Sequence, residues 1–162
     1  MKKSRLVSYS AVIAAMYVLL TMLSSAFGLA SGAVQIRLGE ALTILPFFTP
    51  YAIWGLFAGC LISNIITGCA FWDIVFGSLA TLLGAVITYY CSKLKSKNKK
   101  WLTPIGPIVA NTLIIPPVLT YVYGLDDAMW FLYLTVGLGE VVSCGILGMI
   151  FLNSIEKHKK RL

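Results

Sequence analysis

Charge is scarce in this sequence, and negative charge is the scarcest: 162 residues include 13 Lys or Arg but only 6 Asp or Glu, with a single histidine. Charged residues make up 12% of the chain, about half of what a soluble domain carries. Hydrophobic residues make up 59%, and the mean hydropathy is +0.87. The composition excludes a soluble domain and indicates an integral membrane protein.

Motifs for several kinds of chemistry are also missing. No GxxxxGK[ST] sequence is present to hold phosphates, so any ATP must be used by a partner. No HExxH, GxSxG or histidine cluster is present, which argues against an intramembrane hydrolase. The four cysteines form no CxxC pair and lie in or beside apolar runs, so they predict neither disulfides nor a metal site. Transport or binding remains, and we expect no cofactor.

Long apolar runs are abundant by contrast. A helix needs roughly 20 mostly apolar residues to cross a bilayer, so the length allows about six spans. The sequence predicts one all-α membrane domain over residues 1–162, a six-helix bundle whose fifth helix is made irregular by four prolines. Apolar length and Gly, Pro and charge punctuation predict spans near 6–28, 37–49, 51–69, 73–93, 103–123 and 128–153.

The basic residues predict the orientation of the bundle. With the N-terminus inside, 12 of the 13 fall on the cytoplasmic side and only Arg37 lies outside. The positive-inside rule therefore predicts six spans with the N- and C-termini both cytoplasmic. The lysine clusters also contact anionic membrane lipid, so they are no argument for nucleic-acid binding.

One acid lies in the middle of an apolar run, LTVGLGEVVSCGILG. Counted from an external helix end near Ala128, Glu140 lies roughly 18 Å into its span. A carboxylate at that depth costs around 2.5–3.5 kcal/mol on insertion scales, so it turns toward a partner or an aqueous cavity and marks a functional site. The alternative is a structural Glu140, protonated or paired internally with Asn111. Asn64 and Asn111 have an alternative of their own, as hydrogen-bonding partners between helices.

Polar and aromatic side chains on the external half form a candidate ligand site. A carboxylate suits a planar edge with two adjacent N–H donors, and a tryptophan face suits stacking on a flat ring, so the set predicts a small aromatic ligand. The candidates are Gln35, Arg37, Glu40, Trp72, Asp73, Asn111, Trp130 and Glu140.

Besides Glu140 and Asn111, four of these candidates have a plainer alternative. Trp72 and Trp130 lie where interfacial belts place tryptophan. Arg37 and Glu40 are three residues apart, so on a helix they would pair with each other.

The first helix carries a strip of small residues. Ala11 and Ala15 are four apart, and Ser8 lies on nearly the same stripe, so another helix can approach closely there. Taken alone, the pattern favours internal packing over contact with a partner protein.

Three segments resemble one transporter family. VQIRLGEALTILPFFTPYAIWGLFAGCLISNI, DIVFGSLATLLGA and GLGE resemble the queuosine-precursor transporter family. Its members are substrate-binding subunits (S-components) of bacterial energy-coupling-factor transporters. The resemblance covers nearly the whole chain and implies a six-helix, multi-pass protein of the bacterial cell membrane. It implies capture of a 7-deazaguanine precursor, such as preQ0 or preQ1, from outside the cell.

The resemblance also implies partners. One transmembrane coupling protein and two ATPases would form the energy-coupling module, whose ATP cycle releases the ligand inside, so the chain itself would be no enzyme. It implies docking through Ala11 and Ala15, and an external loop, residues 29–37, that acts as a lid. Ligand contacts would come mainly from the last three helices.

The motif positions carried over are Glu40, Asp73, Asn111 and Glu140. A 7-deazaguanine presents N1–H and a 2-amino group side by side, and Glu140 is the first choice to accept both. Asp73 or Glu40 would face the cationic aminomethyl group of preQ1. Asn111 or Gln35 would donate to the 6-oxo group.

Aromatic side chains would cover the ring of such a ligand, with Trp72, Trp130 and Tyr133 as candidates. A competing hypothesis is a stand-alone, proton-coupled carrier for a nucleobase-like solute, in which Glu140 exchanges a proton. Dependence of uptake on the partner ATPases or on the proton gradient separates the two hypotheses.

Overall fold

The structure is a computed structural model that describes residues 2–29, 35–96 and 98–159. Every regular element in these ranges is helical, which confirms the all-α prediction. Residues 30–34 of the predicted lid lie outside the described part of the chain. So do Lys97, Lys160 and Arg161, three of the basic residues that predict the orientation.

The described helices follow one another along the chain. In chain order they are α1 (Lys2–Ala26), a 3₁₀ helix (Leu38–Phe47), α2 (Tyr51–Ile66), α3 (Phe71–Lys93), α4 (Lys99–Leu102), α5 (Ile105–Tyr121), α6 (Met129–Glu140), a π-helical segment (Val141–Leu147) and α7 (Gly148–Lys159).

Four helical stretches in the described ranges are long and apolar enough to cross a bilayer: Ser4–Ala26, Phe71–Lys93, Lys99–Tyr121 and Met129–His158. The 3₁₀ helix and α2 are apolar but shorter, with 10 and 16 residues. The chain is therefore a multi-pass membrane protein. The count of six spans and the cytoplasmic location of both termini stay predictions.

The predicted irregular fifth helix is divided into two pieces. α4 ends at Leu102 and α5 begins at Ile105, with Pro104 between them. Proline has no backbone N–H to continue a helix but suits the start of one, so Pro104 marks the boundary. α4 is also tied to α7 by an ion pair between Lys100 and Glu156.

α1 packs on α2 through a face that the small-residue strip does not include. A Cβ at Gly59 would lie 2.8 Å from Cβ of Tyr17 and 3.0 Å from the carbonyl oxygen of Ala14, so only glycine allows this approach. Ala14 and Tyr17 are buried, whereas Ala11 and Ala15 are exposed. The expectation that the strip serves internal packing is therefore wrong, because the inward face of α1 lies one residue away.

The 3₁₀ helix packs against α1, α2, α3, the π-helical segment and α7. Glu40, Leu42 and Ile44 on this helix are each 2% exposed or less. A short helix enclosed in this way brings its own side chains into the interior, and Glu40 is one of them.

Candidate ligand-binding site

Two acids and a thiol meet in the interior. Glu40 on the 3₁₀ helix, Glu140 at the end of α6 and Cys144 in the π-helical segment offer ligand atoms that all lie within 4.8 Å of one another. Their exposed fractions are 2%, 7% and 0%. We call these three residues the carboxylate cluster. The structure thus brings together two acids that the sequence marked separately as site candidates.

Glu40 is held through one of its oxygens. Oε1 accepts hydrogen bonds from the Tyr17 hydroxyl and from the Thr81 hydroxyl, the latter at 3.1 Å. Oε2 is buried and has no hydrogen-bond partner among the described residues. Leaving a buried acceptor unpaired costs about 1–3 kcal/mol, and more when it is charged. Oε2 of Glu40 is therefore an acceptor that the described residues leave unsatisfied.

Glu140 has a weaker partner. The Cys144 thiol lies 3.2 Å from Oε2 of Glu140, and it is also 3.4 Å from the main-chain oxygen of Glu40. A thiol is a poor donor, so it satisfies a carboxylate less well than a hydroxyl does. The π-helical segment begins directly after Glu140, and such departures from α-helix geometry occur frequently at functional sites.

Asn111 on α5 faces both acids. It lies close enough to interact with the carboxylates of Glu40 and of Glu140. Its side chain is 4% exposed, and its Nδ2 has no hydrogen-bond partner among the described residues. Nδ2 of Asn111 and Oε2 of Glu40 are therefore buried polar atoms without a hydrogen bond of normal geometry among the described residues. A ligand carrying both donors and an acceptor complements this arrangement.

The carboxylate cluster is also the group of described residues that could hold a metal ion, because its three atoms are close together. Carboxylates and a thiolate are ligands for divalent transition metals. A cationic amine would be attracted by the two carboxylates in the same way as a metal ion. The sequence predicts no metal, and Cys144 gives no sign of a thiolate, since its sulfur lies within reach of hydrogen-bond acceptors.

Arg37 is buried beside Asn64. Its Nη1 donates to Oδ1 of Asn64 at 3.3 Å, and Arg37 is 9% exposed. Within the described residues, no ion pair joins Arg37 to Glu40, so the pairing expected of a helix is not formed. The reason is that the 3₁₀ helix begins only at Leu38, with Arg37 in extended conformation before it. A cavity of about 270 Å³ adjoins Arg37 and Asn64.

Asp73 in the first turn of α3 has a protein partner. It is 3% exposed, and its Oδ2 accepts a hydrogen bond from the Tyr123 hydroxyl at 2.8 Å. The Tyr123 oxygen in turn accepts from the main-chain N–H of Ala70 at 3.0 Å. Burial raises the pKa of Tyr123 above its ordinary value, and the nearby Asp73 carboxyl raises it further, so the hydroxyl keeps its proton. The structure groups Asp73 with Tyr123 and not with the carboxylate cluster.

The main chain of Gln35 lies directly on α6. A Cβ at Gly139 would lie 2.0 Å from the carbonyl oxygen of Gln35, so this contact requires glycine. Gly139 immediately precedes Glu140. The segment that leads into the 3₁₀ helix therefore passes beside the carboxylate cluster.

The two tryptophan candidates lie on the outside. Trp72 is 54% exposed and stacks on Phe76 with ring centroids 5.9 Å apart. Trp130 is 69% exposed and meets Phe131 edge to face. Neither ring is buried with Glu40 and Glu140, and the interfacial location of the two tryptophans stays a prediction. Tyr133 is partly buried.

The exposed strip on α1 borders a groove. Ala11 and Ala15 line an apolar depression of about 860 Å³ between α1 and α2, together with the exposed Trp54. The small side chains on α1 leave the space that the larger side chains of α2 enclose.

Sequence reasoning missed Tyr17 and Thr81, the two hydroxyl donors to Glu40. Each lies in an apolar helix where its residue type is ordinary, so nothing in the local pattern distinguishes it from a packing residue. Only the contact with a charged group identifies them.

Acids and unpaired polar atoms enclosed in the interior of a multi-pass helical protein are typical of membrane transport proteins. Residues 7–157 match the QueT transporter family, so the chain belongs to that family, as the sequence resemblance predicted. It is a multi-pass transport protein of the cell membrane.

A curated relative supports the family. The queuosine precursor transporter QueT of Lactococcus lactis subsp. cremoris (strain MG1363) is 35% identical over 85 residues. The match covers 51% of this chain and 50% of that protein, so the chain matches the relative over about half the length of each. No solved structure matches the chain at a significant level.

Proposed function

We propose that this chain binds a 7-deazaguanine precursor of queuosine and is the substrate-binding subunit, or S-component, of an energy-coupling-factor transporter. The observation that carries the binding proposal is the buried pair Glu40 and Glu140, with oxygen atoms within 4.8 Å of each other. The name of the Lactococcus relative supports the choice of solute.

The donors and acceptors of a 7-deazaguanine complement this site. Its N1–H and 2-amino group offer two adjacent donors, which a carboxylate accepts as a charge-assisted pair. Glu140 takes this role in our proposal, and the unpaired Nδ2 of Asn111 donates to the 6-oxo group.

The second acid suits a cationic substituent. Glu40 presents its unpaired Oε2 close to Glu140, and two like charges in a buried site are relieved by a positive group between or beside them. The aminomethyl group of preQ1 is such a group. The nitrile of preQ0 carries no charge and would leave Glu40 without a cationic partner.

The transport step is proposed to depend on partners. The chain has no phosphate-binding motif, so ATP hydrolysis would come from two ATPases attached to a transmembrane coupling protein. The exposed Ala11 and Ala15 beside their apolar groove support docking of a coupling helix, because small residues let helices approach closely in a membrane.

A second candidate is a stand-alone, proton-coupled carrier. The closeness of Glu40 and Glu140 favours it, because two carboxylates at this distance hold a proton between them more readily than they hold two charges. Proton exchange at such a pair is a common driving device in membrane carriers.

Binding and uptake measurements test the proposal separately. Purified full-length protein is titrated in parallel with preQ0, preQ1, queuine and guanine. If it binds none of the deazaguanines, the proposed substrate class is wrong. Uptake is then measured in cells with and without the coupling-factor ATPases. Uptake that persists without the ATPases and stops when the proton gradient collapses would establish the carrier instead.

A further inference from the structure

Tyr17 on α1 is held in place by α2 and by the 3₁₀ helix. Its side chain is fully buried on α1 and packs against Gly59 of α2. On the 3₁₀ helix, a Cβ at Gly39 would lie 3.1 Å from the main-chain oxygen of Tyr17 and 3.3 Å from its ring. The ring therefore has little room to move, and its hydroxyl reaches Glu40 at a defined place.

Thr81 reaches the same oxygen from another helix. It is 1% exposed on α3, and its hydroxyl lies 3.1 Å from Oε1 of Glu40 and 3.3 Å from the sulfur of Cys60. Tyr17 and Thr81 are 23 and 41 residues away from Glu40 along the chain. Two rigid helices thus direct hydroxyl groups at one carboxylate oxygen and leave the other unpaired.

We infer that Tyr17 and Thr81 are positioning residues for ligand recognition: they hold Oε1 of Glu40 so that Oε2 faces the ligand. The inference rests on the proposed function, in which Glu40 contacts the solute. A carboxylate fixed through one oxygen loses little further freedom when the ligand binds to the other, so preorganisation increases affinity. Neither hydroxyl contacts the ligand in this scheme.

The matched test is Tyr17→Phe, which keeps the buried ring and removes only the hydroxyl. We expect affinity for preQ1 to fall about 10- to 140-fold, the scale of one hydrogen bond to a charged group. Tyr9→Phe is the control, because Tyr9 lies on the same helix with 56% exposure. Thr81→Val removes the other hydroxyl and should act like Tyr17→Phe. Thr81→Ser keeps the hydroxyl and should retain most of the parental affinity.

A double-mutant cycle separates positioning from a general structural role. If Tyr17 acts through Glu40, Tyr17→Phe should cost much less in the Glu40→Gln background than in the parent. Equal losses in both backgrounds would overturn the inference. Melting temperatures of the unliganded variants check folding. Thr81→Val in the same cycle tests the positioning of Glu40 from α3, independently of α1.

The outcomes also distinguish this inference from the proposal on which it rests. Parental protein that binds no deazaguanine overturns both. Parental binding that Glu40→Gln weakens, while Tyr17→Phe and Thr81→Val leave it unchanged, overturns only the positioning role. Loss in both hydroxyl variants, with recovery in Thr81→Ser, supports it.

Discussion

The carboxyl groups of Glu40 and Glu140 lie on different helices, far apart in the sequence, and offer oxygen atoms within 4.8 Å of each other in the interior of the protein. Two acids enclosed together repel each other when both are charged. Their closeness is compensated when N–H donors or a cation bind between them. In the proposed function, this relationship makes the pair a recognition site for a solute that is rich in donors.

Glu140→Gln tests the role of the deeper acid. The amide keeps the volume but turns one acceptor into a donor that faces ligand donors. Binding of preQ0 and preQ1 to the purified protein should weaken by roughly 2–4 kcal/mol, or about 30- to 1,000-fold in dissociation constant. Calorimetric titration of the parent and the variant measures the change.

A ligand analogue provides the control for this variant. A deazaguanine without the 2-amino group should already bind the parent poorly and lose little more in Glu140→Gln, because the broken contact is absent from the start. Parental affinity of Glu140→Gln for both precursors would show that Glu140 has a structural role.

The groove beside α1 predicts a separation of binding from transport. Ala11→Trp and Ala15→Trp fill the exposed small-residue strip, so uptake into cells should be abolished while the isolated protein binds ligand normally. Val12→Trp is the matched control, because Val12 is exposed on the same helix but does not line the groove. If Ala11→Trp and Ala15→Trp both allow normal uptake, this strip of α1 is not the docking surface.

Orientation in the membrane is tested by labelling. The predicted topology puts Asp126 outside the cell and Asn98 in the cytoplasm, and both residues are exposed in the structure. A cysteine at position 126 should react with an impermeant thiol reagent in intact cells, and one at position 98 should react only after lysis. The parent protein measures the background from its own cysteines, and the opposite pattern of labelling would reverse the topology.

Gly139 and Gly137 form a matched pair on α6. A methyl group at Gly139 would meet the Gln35 carbonyl at 2.0 Å, whereas at Gly137 it would meet Thr112 at an ordinary 3.4 Å. Gly139→Ala should lower the free energy of unfolding by about 1–3 kcal/mol through overpacking and should also weaken ligand binding. Gly137→Ala should be neutral or slightly stabilising.

Thermal unfolding and ligand titration of the two glycine variants check this prediction. Equal behaviour of Gly139→Ala and Gly137→Ala would mean that the segment around Gln35 does not lie against α6 in the working protein.

The sequence by itself determined the class of protein and the approximate positions of its helices. Apolar run length is a local property, and it predicts a span near 73–93 where the structure has the helix Phe71–Lys93. Charges inside apolar runs are equally local signals, so Glu40 and Glu140 were recognisable as site candidates. The family resemblance was also recognisable from the sequence, because it rests on contiguous segments.

Only the tertiary structure decided which residues meet. Hydrogen bonds from Tyr17 and Thr81 to Glu40 join different helices, and no periodicity within one helix predicts them. The rotation of α1 that buries Ala14 and exposes Ala11 and Ala15 depends on the close fit of Tyr17 against Gly59. In a membrane the solvent on the outside is as apolar as the interior, so hydropathy does not indicate which side of an apolar helix turns inward. Packing and hydrogen bonding between helices make that choice.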